Sequence, residues 1–244
     1  MVNKRIVIKI SGQALETGNS EANLDFAKIK KIALSLQKLI KAGYQVGVVL
    51  GAGNIFRARM VKHLEIDRVA ADHMGMMATL VNALALQSVL ENIGQEVRVL
   101  SSFSIPAIAE DYVYKRAINH LNNKRVVIFA GGTGNPYFTT DTTLVLRALE
   151  IGATTILKAS DVNGVYDDDP DENPKAKLYK ALTYQEALDK KLRVMDATAF
   201  ALAKENNLLL KVFKFTPQNI FKAVIEDKIG TKVCNSVRDL RDKL

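Results

Sequence analysis

Two lysines and one aspartate stand where phosphate chemistry could be done. Lys9 lies near the end of the apolar run Arg5 to Ile10 (RIVIKI), just ahead of Ser11-Gly12. Lys158 repeats the arrangement near the end of Thr154 to Ala159 (TTILKA). A lysine in such a run costs free energy unless its ammonium reaches water or an anion. One reading is a strand-end side chain that snorkels to solvent. The other is a pair of cations at one edge of one sheet, suited to the charge spread over transferring phosphoryl oxygens. Asp141, after Thr139-Thr140, stands at a helix start. It serves there as an N-cap residue, or it orients the lysines or holds Mg²⁺ through water. Asp72, near the start of a long helix, has the same two readings, the functional one being a ribose hydroxyl acceptor.

Three loops surround these residues: Ser11-Gly12-Gln13-Ala14, Gly51-Ala52-Gly53-Asn54 and Gly131 to Asp141 (GGTGNPYFTTD). Each follows an apolar strand, and the C-terminal edge of an open α/β sheet is where ligands bind. Glycine lets main-chain N–H groups approach a phosphate closely. The chain has no G-x-x-x-x-G-K-[ST], so it is not a P-loop kinase. GAGNIF has Phe56 where a dinucleotide fingerprint needs its third glycine, which disfavours a nicotinamide enzyme. His63, His73 and His120 lack metal-ligand spacing, so no protein-bound metal is expected. The acidic run Asp167 to Glu172 has no glycine at position six of any calcium-loop register and reads as a solvated loop.

The elements that must position these loops alternate strand and helix, which predicts an α/β fold with a mostly parallel sheet sandwiched by helices. Strands are expected at Arg5 to Ile10, Gln45 to Leu50, Glu96 to Ser101, Arg125 to Ala130, Thr154 to Ala159 and Leu208 to Phe215, with a closing edge strand at Thr231 to Asn235. Helices are expected at Asp25 to Ala42, Ala70 to Asn92, Tyr112 to Leu121, Thr140 to Ile151, Tyr184 to Lys190 and Ala197 to Asn206, with another beginning at Pro217. Ser11 to Leu24 reads as a loop. The seam of the long helix is rich in Ala and Met and suits packing against the core or another subunit.

The 244 residues allow one domain, with a soft boundary near Thr155 dividing it into lobes of residues 1–155 and 156–244. The net charge of +8 favours anionic partners, yet no five basic residues run together, so nucleic acid is not required. MVNKRIVIKISG reads as a first strand rather than a signal peptide. No apolar run is expected to span a bilayer. The single cysteine, Cys234, excludes an internal disulfide and fits a reducing cytoplasm.

Six segments together closely resemble the uridylate kinases of the bacterial type, within the amino-acid kinase superfamily. They are KISGQAL from Lys9, GVVLGAGNIFRA from Gly47, ADHMGMMATLVNALAL from Ala71, GGTGNPYFTTD from Gly131, ILKASDVNGVYDDDP from Ile156 and LRVMDATAFALA from Leu192. The resemblance implies the amino-acid kinase fold and transfer of a phosphoryl group from ATP to UMP. It implies that Lys9, Ser11, Gly12, Ala52, Arg57, Ser160, Tyr166 and Asp169 bind ATP. It implies that Gly51, Asp72, Thr133, Gly134, Asn135, Pro136, Tyr137, Phe138, Thr139 and Thr140 bind UMP, with Asp72 on the ribose. Lys9, Asp141 and Lys158 become the catalytic residues, residues 1–155 the UMP lobe and 156–244 the ATP lobe. Mg²⁺ with ATP, a homohexamer, activation by GTP and inhibition by UTP are also implied.

The sequence departs from that pattern at Ala52, where the family has glycine, and at Asn163, where it commonly has aspartate. It departs again over Asn19 to Asp25, a stretch tied to GTP activation. Two alternatives stay open: an acceptor other than UMP on the same fold, and a nucleotide-binding regulatory protein without turnover.

Overall fold

A computed structural model describes residues 4–17, 23–56, 65–226 and 228–236. Its centre is β1, Arg5–Ile10, a strand of alternating faces whose residues Ile6 to Ile8 are nearly or fully buried. β2, Gln45–Leu50, pairs with it in parallel on one side, and β6, Thr155–Ser160, on the other. Beyond β2 come β5 (Val126–Ala130), β3 (Val97–Ser101) and the two-residue β4 (Glu110–Asp111). Beyond β6 come β8 (Leu209–Lys214), β9 (Thr231–Cys234) and β7 (Ala181–Thr183). Pairing among these nine strands is parallel except between β8 and β9. The chain therefore winds first to one side of β1 and then to the other. That reversal opens a crevice at the strands' C-terminal ends.

The two faces of the sheet bury separate cores. Ile6, Ile8 and Ile10 face α1 (Phe26–Lys41), α2 (Arg68–Asn92) and α7 (Pro217–Ile225). Val7 and Val49 face α3 (Tyr114–Asn122), α4 (Thr140–Glu150), α5 (Tyr184–Asp189) and α6 (Ala197–Glu205). Helix α1 forms because Ile29, Ile32, Ala33, Leu36 and Leu39 recur on one face, all fully buried. Each buried aliphatic chain of Leu or Ile size contributes about 1.5–3 kcal/mol. Asp25 caps its start by accepting the Lys28 N–H at 2.9 Å, and Gly43, at φ 85°, turns the chain out of it.

The α/β architecture expected from the sequence is present, and the main element boundaries agree to within a residue or two. Four points differ. The short strands β4 and β7 are absent from the expected set. The strand at 231 is not an edge, because β9 lies between β8 and β7. Residues Gly12–Leu15 form a 3₁₀ turn within what reads as loop. Helix α2 is long and apolar enough by composition to cross a membrane, contrary to the expectation that no segment would be. It is instead laid on the sheet, with Leu80, Ala83, Leu86 and Leu90 in the core. Its Asp72, Thr79 and Asn82 side chains hold loops by hydrogen bonds.

Candidate active site

Parallel pairing sets Lys9 of β1 directly beside Lys158 of β6. Strand alternation sends Lys9 to the Val7 side of the sheet, where α4 begins. There Asp141, in the first turn of α4 and 8 % exposed, lies between the two ammonium groups. Its Oδ2 accepts from Lys158 Nζ at 2.6 Å, and its Oδ1 lies 3.2 Å from Lys9 Nζ. Burial pushes the Asp141 carboxyl up, but the charges and hydrogen bonds of the two lysines outweigh it and hold the group below its ordinary range. Lys158 also donates to the Val194 carbonyl at 2.7 Å, which fixes it in place. Lys9 has only the Asp141 contact among the described residues, so its remaining N–H bonds are free for an incoming anion. The three side chains carry one net positive charge.

Asp141 is not the N-cap. Thr139 is, its Oγ1 accepting from the Asp141 N–H at 3.0 Å and the Thr142 N–H at 3.4 Å. Thr139 Oγ1 in turn donates to Asp196 Oδ2 at 2.5 Å, and Thr142 Oγ1 reaches Asp196 Oδ1 at 3.2 Å. Asp196, the N-cap of α6, thus ties the start of α4 to the segment that holds Lys158. Nothing in the sequence near Asp196 indicates these partners. Its only signal was its place in the segment LRVMDATAFALA.

The glycine loops meet one another. A Cβ on Gly12 would stand 2.7 Å from the Gly53 nitrogen, and one on Gly51 would stand 3.1 Å from the Gly12 nitrogen. Close approach is what requires glycine there. Ala52 does not lie among the positive-φ residues, so its methyl group brings no backbone strain. Asn82, fully buried in the middle of α2, donates to the Gly51 carbonyl at 2.7 Å and bonds Asn54, which holds the second loop against the first. A polar residue inside an apolar helix was the available signal for Asn82.

Two cavities flank the triad. One, of about 180 Å³, is lined by Ala52, Asp72, Gly132, Thr133, Phe138, Thr139 and Thr140, together with Phe56, Met76 and Thr79. Asp72 at its wall accepts from Arg68 Nε at 2.8 Å and from the Tyr137 N–H at 2.8 Å. Tyr137 is at φ 71° and its ring is largely exposed. Gly134, Asn135 and Pro136 belong to the turn behind this lining, where the Asn135 N–H donates to Thr133 Oγ1 at 3.1 Å. The other cavity, of about 360 Å³, is lined by Ser11, Gln13, Lys28, Lys31, Ala159, Asp161 and Phe215 among others. Thr140 adjoins Asp141 in the chain and Ala159 adjoins Lys158, so each lining comes within one residue of the triad.

Of the residues assigned to ATP, Ser11 lines the larger cavity and Gly12 adjoins it, whereas Ala52 lines the smaller one. Ser160 lies between two lining residues and its carbonyl accepts from Phe215 N at 2.7 Å. The structure does not bring Tyr166 or Asp169 to either lining. Tyr166 accepts from Asn163 Nδ2 at 3.2 Å, and Asp169 Oδ1 accepts from the Asp171 N–H at 2.9 Å. Arg57 and His63 lie outside the described residues. Lys28, Lys31 and Phe215 were missed, since their place at the cavity depends on α1 and β8 converging beside β1.

The arrangement can hold two anions on either side of a fixed pair of cations. The family model described as the amino acid kinase family matches residues 4–214. A uridylate kinase of Methylococcus capsulatus (strain ATCC 33009 / NCIMB 11132 / Bath) is 48 % identical over 231 residues, which cover 94 % of this chain and 96 % of the relative. A UMP kinase structure from Bacillus anthracis aligns with a TM-score of 0.92 at 37 % identity, covering 96 % of this chain and 97 % of that one. One from Ureaplasma parvum aligns with a TM-score of 0.92 at 41 % identity, covering 96 % and 100 %. With sheet, loops and sequence in agreement along nearly its whole length, the chain belongs to the amino acid kinase family, among its uridylate kinases.

Proposed function

We propose that the chain transfers the γ-phosphoryl group of ATP to UMP, giving ADP and UDP. The observation that carries this reading is the Lys9–Asp141–Lys158 cluster, next in the chain to a lining residue of each cavity, Thr140 for the smaller and Ala159 for the larger. UMP occupies the smaller cavity, its ribose hydroxyl on Asp72, residues 133–140 wrapped around it and its phosphate toward the main chain of Gly51 and Ala52. ATP occupies the larger cavity, with its phosphates toward Ser11, Gly12 and Lys9. The lobe of residues 1–155 thereby serves the acceptor and that of 156–244 the adenosine end of the donor.

A phosphate oxygen of UMP attacks the γ-phosphorus in line, and the bond to the β–γ bridging oxygen breaks, releasing ADP. The protein supplies positioning and charge rather than a covalent intermediate. Lys9, with unoccupied N–H bonds, follows the transferring group. Lys158, held by Asp141 and Val194, supplies a second fixed positive charge. Asp141 keeps the ammonium groups of the two lysines apart and aimed.

No three His, Cys, Asp or Glu residues cluster to hold a metal among the described residues. Asp141 Oδ1 is buried with the Lys9 ammonium 3.2 Å away and no well-aligned hydrogen bond, which leaves it a lone pair for a further ligand. That fits an ion carried in by the nucleotide, because Mg²⁺ commonly takes one or two carboxylates with substrate phosphates and water. Bound there, Mg²⁺ would offset phosphate charge.

We also assign a homohexameric state, on the apolar outer face of α2 where Met74, Met77 and Val81 are exposed. The reading includes a cytoplasmic location, which a sequence with a single cysteine, the buried Cys234, supports, and inhibition by UTP as a ligand that shares the uridine. ADP release with ATP and each nucleoside monophosphate, carbamate or amino acid, repeated with GTP and UTP, tests the assignment. UMP is the acceptor expected to support turnover. Turnover with carbamate or an amino acid instead, or UMP binding without ADP, would overturn it.

A further inference from the structure

Asn82 is buried in an apolar stretch of α2 and lines neither cavity. Its Nδ2 donates to the Gly51 carbonyl at 2.7 Å and to Asn54 Oδ1 at 2.9 Å. Asn54 Nδ2 donates back to Asn82 Oδ1 at 3.0 Å and to the Asn23 carbonyl at 2.9 Å. A carboxamide carries two N–H donors, so every amide proton of the pair is spent and none is left for a ligand. Asparagine inside a helix costs free energy, and a buried amide without partners costs more. The full set of bonds offsets both, and a fully satisfied polar network is a rigid one.

What the pair holds is the contact between two loops. Ser11 lines the larger cavity and Ala52 the smaller. Between them Gly12 lies flat against the second loop: a Cβ on it would run into Asn54 Oδ1 and stand 2.9 Å from the Ala52 carbonyl carbon. The Gly51 N–H is spent on the Ile10 carbonyl at 2.9 Å, which ties the start of the second loop to β1. Glycine gives a loop little stiffness of its own, so the spacing of the two linings depends on the carboxamide pair and on the helix that carries it. We propose that Asn82, acting through Asn54, is a positioning residue for the transfer step. It fixes the donor-side loop at Gly12 against the acceptor-side loop at residues 51–54, without touching either substrate. In-line transfer needs the reacting atoms about 3–3.5 Å apart, and a misplacement of about 1 Å costs about a hundredfold in rate. Each cavity keeps its own lining when the pair is lost, so transfer should suffer more than binding. The inference rests on the reading of the two cavities as donor and acceptor sites.

The test is steady-state kinetics on the full chain carrying Asn82→Ala, Asn54→Ala or both, with ATP and UMP varied in turn, well below the unfolding temperature of each variant. Each single variant should lower kcat about ten- to a hundredfold, while both KM values move by less than about threefold. The double variant should be no slower than the slower single one, because each single change already breaks the same pair. Asn54→Ala, at a half-buried loop position, carries the test alone if the Asn82 variants do not fold. A lowered unfolding temperature with unchanged kcat, a rise in one KM with kcat intact, or losses that multiply in the double variant would overturn the proposal. The unsubstituted chain is the reference arm. If it turns over UMP and the variants match it, the positioning role fails and the donor and acceptor reading survives. If it releases no ADP with UMP, that reading fails and the positioning role with it.

Discussion

At the residue scale the decisive fact is that one carboxylate serves two ammonium groups. Lys9→Ala should fold and lose turnover by about two to three orders of magnitude, the scale for one preorganised charge donor, measured as kcat with ATP and UMP saturating. Near-normal turnover would remove Lys9 from the reaction. Asp141 makes a second prediction. Because Lys9 and Lys158 hold its carboxyl below the ordinary value despite burial, the ionised form stabilises the fold wherever the unfolded aspartate is also ionised. That contribution is complete above about pH 4 and fades as pH falls through the depressed folded-state value. Asp141→Asn should be about 3 kcal/mol less stable near neutrality, since it leaves two ammonium groups without their counter-charge. The gap should close in acid, and chemical denaturation of both proteins across pH reads it directly. A gap constant down to about pH 2 would mean that the carboxylate is not paired as described.

Lys9, Lys158 and Asp141 were legible in the sequence because charge at the end of an apolar strand, or beside a helix start, is conspicuous. Asp196, Asn82 and Arg147 were not. Their partners lie 15 to 57 positions away, the Thr139 and Thr142 hydroxyls for Asp196, the Gly51 carbonyl for Asn82, and the Ser102 hydroxyl and Gly132 carbonyl for Arg147, and no local pattern encodes them.

At the element scale, periodicity gave the strands and helices that face the two cores, since each needs a whole apolar face to be buried. It gave no sign of β4 and β7, two and three residues long, which exist only because a neighbouring strand pairs with them. It misplaced β9 at an edge. Lys211 on β8 and Lys232 on β9 suggest exposure, yet both are buried, and Lys211 donates to the Glu226 carbonyl at 2.9 Å. Contact between strand and side chain also explains Gly47 in β2. A Cβ there would stand 2.7 Å from Phe129 Cε2 of β5 and 3.3 Å from Val7 Cγ2 of β1. Gly47→Ala should therefore cost about 1–3 kcal/mol through overpacking, measured by urea unfolding. Adding Phe129→Leu should recover part of that loss, and no recovery would locate the strain elsewhere.

At the scale of the whole molecule, α2 shows a polar and an apolar side to different neighbours. Met77→Glu with Val81→Glu should leave each chain folded but reduce the assembled mass seen by sedimentation, because like charges would then face one another across an apolar contact. An unchanged mass would move the subunit contact to another face. The inner side of the same helix bonds the Tyr137 amide through Asp72, the Gly131 amide through Thr79 and the Gly51 carbonyl through Asn82. A helix of 25 residues is a bar roughly 37 Å long with little give along its axis. Three loops keyed to one bar cannot shift independently: a slide of the bar by a fraction of an ångström retunes all of them at once, and the bar's outer edge is where a neighbouring subunit would push.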